Sequence, residues 1–193
     1  MNNELGNEIK ISAIVKAVTI ILDSIGEDRK RPGLTETPYR VAKAWQEWTS
    51  GYEIDIPSIF TVFDDGAENY DQMVTICDIP FYSHCEHHLA PFFGSVTISY
   101  IPNGRIVGLS KLSRLVEVYS RRLQVQERMT NQICDAIWEH LSPLGVGVQV
   151  KARHLCMESR GIKQRGSHTV TTALKGLMLH DGTVRAEFLQ QCK

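Results

Sequence analysis

The chain has 193 residues, 42% of them hydrophobic and 22% charged, and its 21 Lys and Arg against 22 Asp and Glu leave a net charge of −1. That composition excludes the disordered and fibrous classes, and the near-neutral balance excludes a surface built to coat nucleic acid or anionic lipid by bulk charge. The length suits one domain with an arm better than two full domains.

Ile11, Ile14, Val15, Val18, Leu22 and Ile25 recur at helical spacing, and Gly26 ends the run. The polar stretch Glu27 to Gly33 reads as a linker. Thr37 followed by Pro38 predicts an N-cap with proline at the first helical position. Val41, Trp45 and Trp48 form the expected buried stripe of that second helix, and Gly51 its stop. Residues 1–51 are therefore expected to be a helical arm, and 52–193 the main domain.

In the main domain, Met73 to Phe81 is strand-like, and Ser95 to Ile101 alternates with Val96, Ile98 and Tyr100 on one face. A turn at Pro102-Asn103-Gly104 precedes a short strand, Arg105 to Val107. Ser110 can cap a helix with the stripe Leu112, Leu115, Val116 and Tyr119. A second helix carries Val125, Met129, Ile133, Ile137 and Leu141. Val146 to Met157 reads as a strand, Glu158 to Ser167 as a polar loop, and Thr169 to Leu174 as another strand. Asp181-Gly182-Thr183 introduces a C-terminal helix. The order is ββααββ, an α+β class with an antiparallel four-stranded sheet and two helices on one face. The free edges and second face of such a sheet predict oligomerisation.

No apolar run reaches the roughly 20 residues that span a bilayer. Met1 to Lys10 carries two Glu and lacks the basic start of a signal peptide, so the expected location is the cytoplasm. The five cysteines are Cys77, Cys85, Cys134, Cys156 and Cys192. An odd number in a reducing compartment points to metal binding or free thiols rather than disulfides.

Cys85 and His88 have the C-x2-H spacing of a local metal pair. The even positions Val146, Val148, Val150, Ala152, His154 and Cys156 share one strand face, so an apolar face ends in a histidine and a cysteine. Cys85, His88 and Cys156 would give two thiolates and one imidazole to Zn²⁺ and leave a fourth position for water, as catalytic zinc does. Glu86, His84, His87 or His154 could instead supply a fourth ligand to a structural zinc. No H-E-x-x-H, P-loop or dinucleotide-binding glycine motif is present. Arg40 and Lys43 sit three apart on the second helix. Ser110, Lys111 and Arg114 open another helix, where backbone N–H groups favour anions. Arg160, Lys163 and Arg165 follow the His154 strand. Each cluster taken alone also fits a solvated face, and Glu127 alone fits a favourable charge at a helix start.

Taken together, Cys85-Glu86-His87-His88, Gly108-Leu109-Ser110-Lys111, Gln124-Val125-Gln126-Glu127-Arg128 and His154-x-Cys156 with Arg160-Gly161-Ile162 resemble the zinc-dependent GTP cyclohydrolase I family. The likeness runs from about Pro32 to the C-terminus and includes Thr35 to Lys43 and Glu187-Phe188-Leu189. It implies the tunnelling fold and a toroidal homodecamer with active sites between subunits. It also implies conversion of GTP and water to 7,8-dihydroneopterin triphosphate and formate, the opening step of folate or tetrahydropterin synthesis. By that resemblance Cys85, His88 and Cys156 hold Zn²⁺, and His87, His154 and Ser110 are catalytic. Glu127 holds the guanine edge, and Gln126, Lys111, Arg114, Arg160, Arg40 and Lys43 contact substrate. Neither nucleic acid nor membrane is an implied partner. Two rivals differ in chemistry: a zinc-stapled binding module with four protein ligands, and a nitrile reductase of the same fold, which uses a cysteine nucleophile without catalytic zinc.

Overall fold

The computed structural model of the protein describes residues 2–63 and 70–192. The chain divides into two compact units, Met1–Ser50 and Gly51–Lys193. The first holds α1 (Asn2–Ser24) and α2 (Thr37–Trp48), which pack on each other. Just beyond α1, Gly26 takes φ +82°, a left-handed helix stop that costs glycine no Cβ clash. Helix α2 starts one residue earlier than expected. Thr37 is already helical, Glu36 occupies the cap position without a side-chain cap bond, and Pro38 falls in the first turn. Thr37 Oγ1 donates back to the Gly33 carbonyl at 3.3 Å instead of capping forward. Ala42 is the buried residue of α2, and Trp48 is 39% exposed, so the tryptophan stripe is not the buried face expected. Gly51 also has another job, because a Cβ there would sit 2.0 Å from the Val118 carbonyl oxygen.

The second unit runs β1 (Val62–Phe63), β2 (Val74–Cys85), β3 (Pro91–Ile101), β4 (Ile106–Val107), α3 (Leu109–Ser120), β5 (Leu123–Gln124), α4 (Gln126–Leu141), β6 (Gly145–His154), α5 (Leu155–Glu158), β7 (Thr169–Gly176), α6 (Leu177–His180) and α7 (Gly182–Gln191). The long strands are antiparallel in the order β2-β3-β6-β7, and β1 pairs with β4 in a separate ribbon. The sheet has a fifth strand that the sequence reading lacked. β5 joins β2 in parallel, His84 opposite Leu123 and Cys85 opposite Gln124. Two residues are too few to carry a period.

The expected stripes meet in one core. Val96, Ile98 and Tyr100 of β3 and Val146, Val148, Val150 and Ala152 of β6 are buried against Leu112, Leu115 and Val116 of α3 and Met129, Ile133 and Ile137 of α4. Each large aliphatic side chain so buried contributes about 1.5–3 kcal/mol. The other sheet face is not bare. Ile101, Met178 and Phe188 form a second buried cluster there. Gly147 belongs to that face, since a Cβ on it would meet Met178 Sδ at 2.7 Å and the Phe188 ring at 3.0 Å. Helices thus cover a corner of the second face, while α3 and α4 pack on the first. Asp181 fixes the start of α7, its Oδ1 accepting from the Thr183 and Val184 N–H groups at 2.7 and 3.2 Å.

Candidate metal centre and active site

β2 delivers Cys85 to the sheet end, and a tight turn then returns the chain to β3. The His88 and Leu89 N–H groups both donate to the Cys85 carbonyl, at 3.2 and 2.8 Å, and the Cys85 N–H donates to Ala90 at 2.9 Å. The Glu86 N–H donates to the Gln124 carbonyl of β5 at 3.1 Å, so the short parallel strand pins this turn. Arg128 of α4 clamps it from the side, its guanidinium donating to Glu86 Oε2 at 2.8 and 2.5 Å.

Cys156 arrives differently from the expectation. β6 ends at His154, and Leu155–Glu158 forms one helical turn closed by the Ser159 N–H on the Leu155 carbonyl at 2.9 Å. Cys156 therefore does not lie on the strand's even face. Leu, Met and Glu are good helix formers, and their pull ends the alternation. Even so, one ligand atom from each of Cys85, His88 and Cys156 lies within 4.8 Å of the others, with Cys85 Sγ 3.8 Å from His88 Nδ1. Donor atoms around a tetrahedral zinc ion stand about 3.5–3.8 Å apart, so these thiols and this imidazole fit such an ion in spacing and in softness. This is the one such three-residue group among the described residues. Burial pushes the Cys156 thiol up, the neighbouring Cys85 thiol adds to that, and Arg160 opposes it.

His154 stands beside the cluster at the end of β6. Its ring lies parallel to Phe92 of β3, with centroids 4.8 Å apart and planes 3° from parallel. Its Nε2 is 2.7 Å from Gln126 Oε1. Burial lowers its pKa, and the carboxylate of Glu127 works against that shift. Glu127 is exposed in the first turn of α4, where its charge is favourable. Gln126, expected to touch substrate, is 2% exposed, and its amide is spent on protein partners.

His87 is exposed beyond the metal pair, its Nε2 3.8 Å from Glu86 Oε1. Ser110, Lys111 and Arg114 lie in the first two turns of α3. Gly108, not Ser110, is the cap residue there, which leaves the Ser110 hydroxyl uncommitted to the helix. Lys111 is half-buried, and Ser110 and Arg114 are exposed. Arg160 is exposed just past α5. Glu158, read as the start of a loop, is instead buried in a bidentate pair with Arg153, at 2.9 and 2.6 Å. Arg40 and Lys43 stand on α2 of the other unit. There the Arg40 guanidinium donates to Gly33 O and Thr37 Oγ1 at 3.2 and 3.1 Å, and Lys43 lies over the Tyr39 ring. Sequence reasoning missed Phe92, Thr130 and Thr171. Of these, only Thr130, one helical turn after Gln126, leaves a trace in residue spacing.

Residues 14–193 match the sequence profile of the family described as GTP cyclohydrolase I. The GTP cyclohydrolase 1 of Janthinobacterium sp. (strain Marseille) is 58% identical over 169 residues, which is 88% of this chain and 85% of that protein. That of Nitrosospira multiformis is 55% identical over 169 residues, covering 88% of each. The human GTP cyclohydrolase 1 is 48% identical over 189 residues, 97% of this chain and 74% of that one. With a profile match across nearly its whole length, the chain belongs to the GTP cyclohydrolase I family.

Proposed function

We propose that this protein is a GTP cyclohydrolase I, opening the imidazole ring of the guanine of GTP, releasing C8 as formate and reclosing the product as 7,8-dihydroneopterin triphosphate. The observation that carries the reading is the convergence of Cys85, His88 and Cys156 from two distant segments onto one metal-sized space, in a chain of this family. We take the ion to be Zn²⁺, which when bound supplies a water molecule acidic near neutral pH.

The chain's own groups account for the rest. Glu127 offers two carboxylate oxygens to the adjacent N1–H and 2-amino donors of guanine, a match that an amide cannot make. C8 of a neutral purine is a poor electrophile, so water adds to it only as a ring nitrogen gains a proton. His154 is the group that gives it, and imidazole titrates in the range such work needs. Ser110 and His87 move protons during the later ribose rearrangement. Lys111, Arg114 and Arg160 would balance the triphosphate by charge-assisted hydrogen bonds, and the family resemblance alone assigns Arg40 and Lys43 to substrate. The phosphates are not cleaved, which agrees with a sequence that lacks a P-loop.

The order of long strands and helices supports assignment to the tunnelling fold, whose core is ββααββ. The outer edge of β7 pairs with no strand among the described residues, which favours assembly through it, and we propose the family's toroidal homodecamer. Unpaired thiols at the site suit the cytoplasm. The test is incubation of the zinc-loaded protein with GTP, following formate and, after oxidation, pterin fluorescence. Both should appear in equal amounts, and absence of both sinks the assignment.

A further inference from the structure

Gln126 is a polar side chain in an apolar core, 2% exposed, at the first position of α4. Its Nε2 lies 3.1 Å from the Val150 carbonyl of β6, 3.1 Å from the Thr169 carbonyl of β7 and 3.1 Å from Thr171 Oγ1. Backbone carbonyls only accept, so this end of the amide is the donor end, its two hydrogens shared among the three acceptors, and the opposite end must be the oxygen. That oxygen, Oε1, lies 2.7 Å from His154 Nε2. An amide oxygen only accepts, so the proton in this contact belongs to the histidine.

The same logic runs down the other arm. Thr130 Oγ1 donates to the Gln126 backbone carbonyl at 2.7 Å, which spends its hydrogen. The 2.7 Å contact between Thr130 and Thr171 is then a donation from Thr171, whose oxygen is left to accept from Gln126. Every link has one direction, from His154 through Gln126 and Thr171 to Thr130, and backbone carbonyls stop it from reversing. Phe92, stacked on the ring, holds its plane.

We infer that Gln126 is a positioning residue that holds His154 with its hydrogen on Nε2, so that Nδ1 is the ring nitrogen left to face a ligand. Thr171 and Thr130 are the struts that fix the amide. The inference rests on the reading of His154 as the proton donor to the purine. It removes Gln126 from substrate contact, because the amide has no donor or acceptor direction left to offer a ligand beyond the second lone pair of Oε1.

The test uses the zinc-loaded enzyme with its histidines labelled by ¹⁵N and ¹³C. Solid-state spectra distinguish the two neutral tautomers by nitrogen shift, with the His154 signal assigned by its loss in His154→Asn. The wild type should show the Nε2–H form, and Gln126→Met should lose that preference. Kinetically, Gln126→Met should lower kcat by about 10–100-fold, the usual cost of removing the partner that orients a working histidine, with KM for GTP within about twofold. Thr171→Val, a milder change, should lower kcat in the same direction with KM unmoved, and it serves if Gln126→Met does not fold. An Nδ1–H tautomer in the wild type overturns the inference. So does a Gln126→Met enzyme with raised KM and unchanged kcat, which is the signature of a lost substrate contact. The tautomer is read without substrate, so a wild type that makes no formate from GTP would fail the functional reading and leave this measurement standing.

Discussion

A carboxylate and an amide have nearly the same shape and opposite manners toward guanine, which makes Glu127 the sharpest single-residue test of the site. Glu127→Gln puts a donor against a donor and leaves a group unpaired, a cost of about 1–3 kcal/mol. Its kcat/KM should fall roughly 10–100-fold while zinc content and thermal stability match the parent, and near-parental turnover would remove Glu127 from guanine recognition. The cysteines give a second test. With Cys85 Sγ and Cys156 Sγ within 4.8 Å of each other, chelation in air should oxidise the two thiols to a disulfide as oxygen is reduced. Activity should then return only with reductant and zinc together, and non-reducing peptide maps should show Cys85 joined to Cys156. Two free cysteines after prolonged oxidation would contradict their proximity. Cys134 offers no competition, because burial pushes its thiol up to about 12, but Cys77 is exposed rather than buried and should be mapped alongside. Glu158 gives a pH test. Arg153 holds its carboxyl below the ordinary 4.5, so the folded state binds this proton less readily than the unfolded chain. The pair's contribution is full above the ordinary value and is lost as pH falls through the lowered one. Glu158→Gln should therefore flatten the acid limb of a stability-against-pH curve, and an unchanged limb would assign acid sensitivity elsewhere.

Elements meet most tightly at glycines. A Cβ on Gly94 of β3 would stand 1.9 Å from the Lys151 carbonyl of β6, and one on Gly147 would press on Met178 and Phe188. Backbone cannot step aside as a thioether can, so Gly94→Ala should destabilise more than Gly147→Ala, itself expected to cost about 1–3 kcal/mol in denaturant unfolding. The reverse order would mean that β3 and β6 separate more easily than the α7 corner. The long elements were legible in the sequence because their packing imposes a period: two on Val146 to Ala152, and 3.6 on Leu112 to Tyr119 and Met129 to Leu141. β5 was not, since two residues carry no period. The helical turn bearing Cys156 was hidden because its residues continue the alternation by chance, so the expectation that Cys156 joins Cys85 and His88 came from the wrong geometry. Gln126 stayed opaque for a different reason. Its partners are carbonyls of β6 and β7, and a main-chain acceptor leaves no mark on residue identity.

At the scale of the molecule, β5 covers only the His84–Cys85 end of the β2 edge, and the β7 edge pairs with no strand among the described residues. A particle of ten chains should scatter light with ten times the 21.8 kDa of one, and a monomeric mass at working concentration would remove assembly from the proposal. The proposed metal site would also impose an order in time. Cys85 and His88 leave the ribosome well before Cys156, and the intervening chain takes several seconds to make at about 5–20 residues per second. During that interval the nascent protein displays a lone thiol–imidazole pair that can hold an ion only loosely. The third ligand is brought home by β3–β6 pairing. If these three residues hold the ion, its capture would report that the central strands have found their register.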